Sequence, residues 1–246
     1  LANLEKPKFL ISFIIKIFVS SYKIDLTKSK KNKFESLNKM FTRSLKKDFG
    51  SIDKSSFIHP AEGKLVSFGK VLEGQTFLVK GKNYSSAELL GCDVSNLDSY
   101  YFYNYYLSPQ DYHRVHHPVS GELCFTKEIK GPLYPVAPWF VKLVPSVFAK
   151  NYRTVSLVKS IDFGDVYTVM VGALNVGSIK MNKGLFDTTS KNRSDGVSNS
   201  SPSNQSVNIK SGDELGVFEM GSSVVVFTQV NLLLDLQYKD GRTYKY

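Results

Sequence analysis

A chain of 246 residues with 42% hydrophobic side chains suits one large domain, or a domain with an appendage, around a sizeable core. The net charge is +10, and residues 1–50 hold 12 Lys or Arg against 4 Asp or Glu, so +8 of the excess sits at the N-terminus. Two cysteines, Cys92 and Cys124, exclude a disulfide framework and a cysteine-based metal set, and positive charge gathered at one end, not interleaved with aromatics, argues against a nucleic-acid partner.

Residues 1–48 read as helical, with a Lys-rich joint at 28–33. The apolar run Phe9–Val19 is 11 residues long and contains Lys16, too short to span a bilayer. No small-residue cleavage site follows it, so it does not read as a signal peptide. Lys6, Lys8, Lys16 and Lys23 flank the run, which predicts a helix lying in the membrane interface. An ordinary helix packed on the core is the competing reading.

From Ile52 onward Gly, Pro, Val and Tyr punctuate short segments, and strands are predicted at Lys64–Val71, Gln75–Lys80, Tyr100–Leu107, Thr154–Val158, Val166–Val171, Ser178–Met181 and Ser222–Val230. Ser85-Ser86-Ala87-Glu88 offers a capping serine and an early acid for a helix over Ser85–Leu90. Residues 187–211 are rich in Ser, Asn and Asp and read as a mobile surface loop. Val136–Phe148 reads equally as core or as an apolar wall facing lipid. The fold class expected is α+β, mainly β: a compact β-rich catalytic domain over 51–246 with membrane-associated helices over 1–50.

Two stretches carry chemistry. Asp111-Tyr-His-Arg-Val-His-His-Pro118 places three of the four histidines within five residues, and imidazole is the side chain best suited to take and give protons near neutral pH. On a helix or tight turn His113 and His116 share a face; on a strand they point apart. No HExxH or cysteine cluster accompanies them, so a metal is not expected. A structural role and acid/base chemistry both remain open on spacing alone. The second stretch is Gly221-Ser222, just ahead of an apolar strand. A serine there can attack the preceding carbonyl, convert amide to ester and, after elimination, leave dehydroalanine that hydrolyses to a pyruvoyl ketone.

Five ordered blocks resemble the phosphatidylserine decarboxylase family, pyruvoyl-dependent membrane enzymes. They are Leu37–Lys46, Phe77–Gly91, Tyr106–His116, Val171–Ile179 and Met220–Ser223, the last standing where the family carries LGST. The resemblance runs from about Leu37 to Phe227. It implies that Ser222 cleaves the chain at Gly221-Ser222 and becomes a covalent pyruvoyl cofactor. It implies that His116 deprotonates Ser222, and that His113 donates a proton or orients substrate during decarboxylation. The implied reaction converts phosphatidylserine to phosphatidylethanolamine and CO2 through a Schiff base on the pyruvoyl group. The implied partners are an anionic phospholipid membrane, the chain's own cleaved α and β pieces, and further copies in a homo-oligomer. A bacterial inner membrane is the expected setting, with the mitochondrial inner membrane as the alternative.

The likeness is imperfect where chemistry is expected. The family's SPADG motif, whose aspartate joins self-cleavage, is matched by His59-Pro-Ala-Glu-Gly63, so Glu62 takes the aspartate's place with one extra methylene. A carboxylate in that role fixes an imidazole tautomer, and a displacement of about 1 Å in such a site costs on the order of 100-fold. Tyr152 replaces the glutamate of the family's NER, which leaves Arg153 without that neighbour. With Glu62 and His59 in place of the family's aspartate and serine, an uncleaved family member acting as a lipid-binding or regulatory protein is the alternative function. A lipoyl-type hairpin module is a weaker one, because Gly-Ser stands where such domains present lysine.

Overall fold

The computed structural model describes residues 4–46, 57–72, 76–79, 82–92, 94, 96–136, 140, 143–144, 146–173, 179–182, 197–200, 207–219, 222–232 and 243–244. Two short helices open the chain. α1 (Lys8–Ser21) repeats apolar residues at helical spacing and buries Ile11 and Ile15. α2 (Leu37–Phe41) is capped by Ser36, whose hydroxyl accepts the Lys39 N–H at 3.2 Å, and buries Met40 and Phe41. The four buried residues and Ile24 form a small cluster of their own, with the Phe18 ring edge-on to Phe41 at 5.2 Å. Between the helices the chain is not helical as expected: Ser29 bridges Leu45, and Lys30 and Lys46 donate backbone bonds to Ser44 and Lys28.

Beyond the helical cap the chain is mostly β. The main sheet is built from β1 (Gly63–Lys70), β4 (Tyr101–Leu107), β6 (Gly121–Ile129), β7 (Arg153–Ser160), β8 (Gly164–Val171), β10 (Val197–Ser200), β11 (Val207–Ile209), β13 (Ser222–Thr228) and β14 (Thr243–Tyr244). Among the described residues these nine antiparallel strands run in the order β10-β6-β7-β8-β13-β4-β1-β14, with β11 also on β6. β13 lies between β4 and β8, and Val224, Val225, Val226 and Phe227 are all fully buried. A continuous apolar run is what a strand covered on both faces requires. A second sheet joins β5 (Arg114–His116), β12 (Glu214–Phe218) and β9 (Ile179–Met181), in that order. β2 (Thr76–Val79) and β3 (Lys82–Ser85) form a hairpin that leads into α3 (Ser86–Leu90), where Ser85 caps as expected and Gly91 closes the helix at φ 61°. α4 (Val147–Lys150) packs near α3.

The mainly β expectation holds, with differences in detail. β6 is absent from the predicted strands because a register shift between Leu123 and Phe125 breaks the period of two that marks a strand. The mobile-loop reading of 187–211 is corrected at 197–200 and 207–209, which pair with β6. Edge strands are held by backbone bonds, so their polar sequence gives no sign of them. Residues 187–196 and 201–206 lie outside the described residues, as do 137–139, 141, 142 and 145 of the Val136–Phe148 stretch. Within that stretch Val136, Val147 and Phe148 are core and Leu143 is exposed. Arg153 does not lack neighbours: it is buried and donates to the carbonyls of Glu88, Leu89, Ala149 and Asn151. Burial lowers its pKa to about 10.

Candidate active site

The two sheets meet where β12 hands over to β13, four residues after Phe218, at Ser222. β5 runs beside β12, and the Phe218 N–H donates to the His113 carbonyl at 3.0 Å. On the other side of the junction Ser222 stands opposite Leu107 of β4. The Lys64–Tyr106 register carried one step further places Gly63 at the far edge of Leu107. With strands about 4.8 Å apart, the Ser222 and Gly63 backbones are about 10 Å apart across β4. Gly63 is required there, since a Cβ would sit 2.7 Å from the Tyr106 carbonyl oxygen. Glu62 directly precedes it. The His116 N–H donates to the Pro60 carbonyl at 2.8 Å, which ties the second histidine to the Glu62 turn. Backbone bonds thus link His116 to the turn that holds Glu62 and His113 to the end of β12, while β4 separates that turn from the start of β13. Gly221 and the Ser222 side chain lie outside the described residues.

Arg114–His116 is extended, which places consecutive side chains on alternate faces. Arg114 Nη1 donates to both carboxylate oxygens of Glu214 at 2.7 and 2.9 Å, and its Nε and Nη2 donate to the carbonyls of Thr42 and Arg43. It pins the histidine strand to both β12 and the α2 segment. His113 is fully buried, with Phe41 edge-on at 5.2 Å and Nδ1 2.8 Å from the Asp111 carbonyl. His116 is buried, stacks on Tyr112 at 5.8 Å and has Nδ1 2.7 Å from the Gly212 carbonyl. A carbonyl only accepts, so in each ring Nδ1 carries the proton and Nε2 carries the lone pair. Burial pushes both imidazoles below their ordinary pKa, His113 to about 4, where the nearby Arg43 charge adds to the effect. Both rings are therefore neutral at pH 7, each with an unprotonated Nε2. His59 is held at about 4 by burial, and its Nδ1 meets the Tyr105 hydroxyl at 2.9 Å.

Two residues to which the sequence reading gives no role belong to the same neighbourhood. Arg43 is buried, and its Nη2 donates to the carbonyls of Gln110 and Asp111 at 2.9 and 3.2 Å. Burial lowers its pKa, while Glu62, followed by Asp111, Tyr112 and Asp25, acts to raise it. Arg43 sits inside the Leu37–Lys46 block, but one cation among 12 in the basic segment carries no mark of burial. Glu219, three residues before Ser222, is buried, accepts from Asn38 of α2 at 2.9 Å and pairs with Lys180. Its place in FEMGSS is the only signal the sequence offers for it.

A sequence profile described as phosphatidylserine decarboxylase matches residues 37–246. The chain belongs to the phosphatidylserine decarboxylase family. A phosphatidylserine decarboxylase proenzyme of Brevibacillus brevis is 34% identical over 226 residues, covering 89% of this chain and 80% of the relative. One from Helicobacter pylori (strain ATCC 700392 / 26695) is 35% identical over 248 residues, covering 98% of this chain and 90% of the relative. The term proenzyme in those names implies cleavage of the relatives into pieces. A pyruvoyl group at the β13 start fits the residues present. The buried His113 Nε2 has no hydrogen-bond partner among the described residues, and the His113 carbonyl is bonded to Phe218 at the end of β12.

Proposed function

We propose that this family member is a proenzyme that cleaves itself at Gly221-Ser222 and then converts phosphatidylserine to phosphatidylethanolamine and CO2. The observation that supports the reading is the junction of β12 and β13, where the His113 carbonyl bonds Phe218, four residues before Ser222, and the Glu62 turn stands one strand beyond β4.

In the first stage Ser222 Oγ bonds to the Gly221 carbonyl carbon and its proton passes to the His116 Nε2 lone pair. The C–N bond then breaks, leaving an ester and a free Ser222 amine, which takes up the proton. Transfer of the Ser222 α-proton to water expels the Gly221 carboxylate by breaking the Cβ–O bond. Dehydroalanine remains, and water replaces its nitrogen, releasing ammonia. Tyr112 and the Gly212 carbonyl hold the His116 ring and its tautomer for this step. Glu62 lies in the field of Arg43, so its carboxylate belongs to the charge balance of the site.

In the second stage the pyruvoyl ketone supplies an electrophile and electron sink that no ordinary side chain provides. In this reading His113 holds a proton at Nε2 and delivers it to the former α-carbon. It has to take that proton up first, because its resting proton is committed to the Asp111 carbonyl. Phe41, Tyr112 and the surrounding core keep water from both rings.

Residues 1–50 serve as the membrane-associating segment and 51–246 as the decarboxylase domain. Supporting this, Phe9, Leu10, Phe13 and Ile17 of α1 are exposed, and Lys8 and Lys16 lie on the same helix. No helix among the described residues is long and apolar enough to cross a membrane, so the contact proposed is peripheral. The intact mass of the purified chain tests the reading. The expected products are residues 1–221 and 222–246, the second lighter than its plain peptide by one ammonia. Only full-length chain after long incubation would overturn self-cleavage, and cleaved protein that releases no CO2 from phosphatidylserine would overturn the reaction.

A further inference from the structure

The Gly221-Ser222 bond lies in a short link between two fixed points. Upstream, the Phe218 N–H at the end of β12 donates to the His113 carbonyl at 3.0 Å. Downstream, Ser222 pairs with Leu107 of β4. Glycine at 221 gives the bond no side chain to hold it and the widest choice of backbone conformation. Its orientation has to be imposed by neighbours, and Glu219 is the one charged residue in the link 219–221. Its side chain is only 10% exposed, and a carboxylate taken out of water needs donors. Two arrive from separate elements. Asn38 Nδ2 of α2 donates to Glu219 Oε1 at 2.9 Å, and the Lys180 ammonium of β9 pairs with the same oxygen. Lys180 stands opposite Val217 in the β12–β9 register, so it reaches Glu219 diagonally. Asn38 and Phe41, three apart on α2, share a face. Through the first, α2 touches Glu219, and through the second it meets the His113 ring edge-on at 5.2 Å. The carboxylate thereby ties the link to the helix that packs on the histidine.

We propose that Glu219 is a positioning residue for self-cleavage: held by Asn38 and Lys180, it fixes the link so that Ser222 Oγ meets the Gly221 carbonyl carbon. The proposal rests on the self-cleavage reading and adds a residue outside the Met220–Ser223 block and the histidine segment. Without the carboxylate anchor the upstream fixed point retreats to Phe218. A displacement of about 1 Å at a reacting centre costs on the order of 100-fold. The effect falls on the first stage, because the bond that Glu219 orients is gone once the chain is cut.

The test follows cleavage of the newly made full chain by gel during cell-free translation. Lys180→Glu comes first, because the lysine side chain is 64% exposed and the change leaves the core intact. It sets a second carboxylate against Glu219 and is expected to slow cleavage roughly tenfold to a hundredfold, as is Glu219→Ala. Lys180→Glu/Glu219→Lys reverses the pair, and the Asn38 carboxamide can turn its oxygen toward the new ammonium. Cleavage is then expected to return to within about threefold of the unmodified rate, as a coupled pair requires. With Ser222→Ala added to stop cleavage, Lys180→Glu is expected to leave the urea midpoint unchanged. Hydroxylamine cuts an ester and spares an amide, so stalled Glu219→Ala is expected to resist it. Release of a 222–246 fragment would place the block after ester formation and overturn the assignment. An unchanged rate in either single variant, a reversed pair as slow as the singles, or a midpoint that falls in step with the rate would each overturn it too. An unmodified chain that never cleaves removes the proposed function together with this role. A cleaving chain indifferent to Lys180 and Glu219 removes only the role.

Discussion

The nine-stranded sheet and the helical cap use apolar residues differently. In the sheet, Val224 to Phe227 of β13 vanish completely between neighbours, and Phe77 packs edge-on to Phe227 at 5.3 Å. In the cap, α1 buries Ile11 and Ile15 but leaves Phe9 78% and Phe13 60% exposed. The sheet closes its own core, while the cap has two apolar faces and only one protein partner among the described residues. The proposed catalytic groups lie at the seam, where Phe41 and Asn38 of the cap touch His113 and Glu219 of the sheet region.

The largest effect expected at that seam is chemical. Ser222→Ala should abolish both chain cleavage and CO2 release, read by gel and by trapped CO2; activity in an uncleaved Ser222→Ala chain would remove the serine from its role. Phe227→Ala should then destabilise the sheet by about 3–5 kcal/mol, against about 2 kcal/mol for Ile15→Ala in the cap. Urea unfolding of both variants would erase the contrast if the two costs came out equal.

Acid should separate the regions further, because all four histidines lie on the sheet side. His59 and His113 are held at about 4 and His117 at about 3, against 6.5 for the free ring. Between pH 6.5 and about 4 the unfolded chain binds protons that the folded chain refuses. The stability they contribute is fully present above pH 6.5 and falls as pH falls through that window, by up to about 1.4 kcal/mol per histidine per pH unit. The thermal midpoint should therefore drop from pH 7 to pH 5. His117→Met should reduce the drop, since His117 is fully buried and neither ring nitrogen has a hydrogen-bond partner among the described residues. A pH-independent midpoint would contradict this account. The smallest effect belongs to the outer face of α1: Phe13→Ser should change stability by no more than about 0.5 kcal/mol while weakening vesicle binding. A large loss of stability would mean that this face is covered by protein.

The sequence by itself marked most central strands, the Ser85 cap and the candidate chemistry at Glu62, His113, His116 and Gly221-Ser222. The strands and the cap are local signals of periodicity and capping, while the roles of Glu62, His113, His116 and Ser222 are what the family resemblance implies. β6 escaped because a bulge interrupts its alternation, and β10 and β11 escaped because backbone pairing, not side-chain pattern, holds them. Only the tertiary structure decided that His116 joins the Glu62 turn through the Pro60 carbonyl, or that both imidazoles present Nε2. It alone picked Arg43 out of the basic segment as a buried cation. The physical reason is that burial and tautomer are set by which distant carbonyls and carboxylates the fold brings within hydrogen-bond reach, and no local pattern encodes those partners.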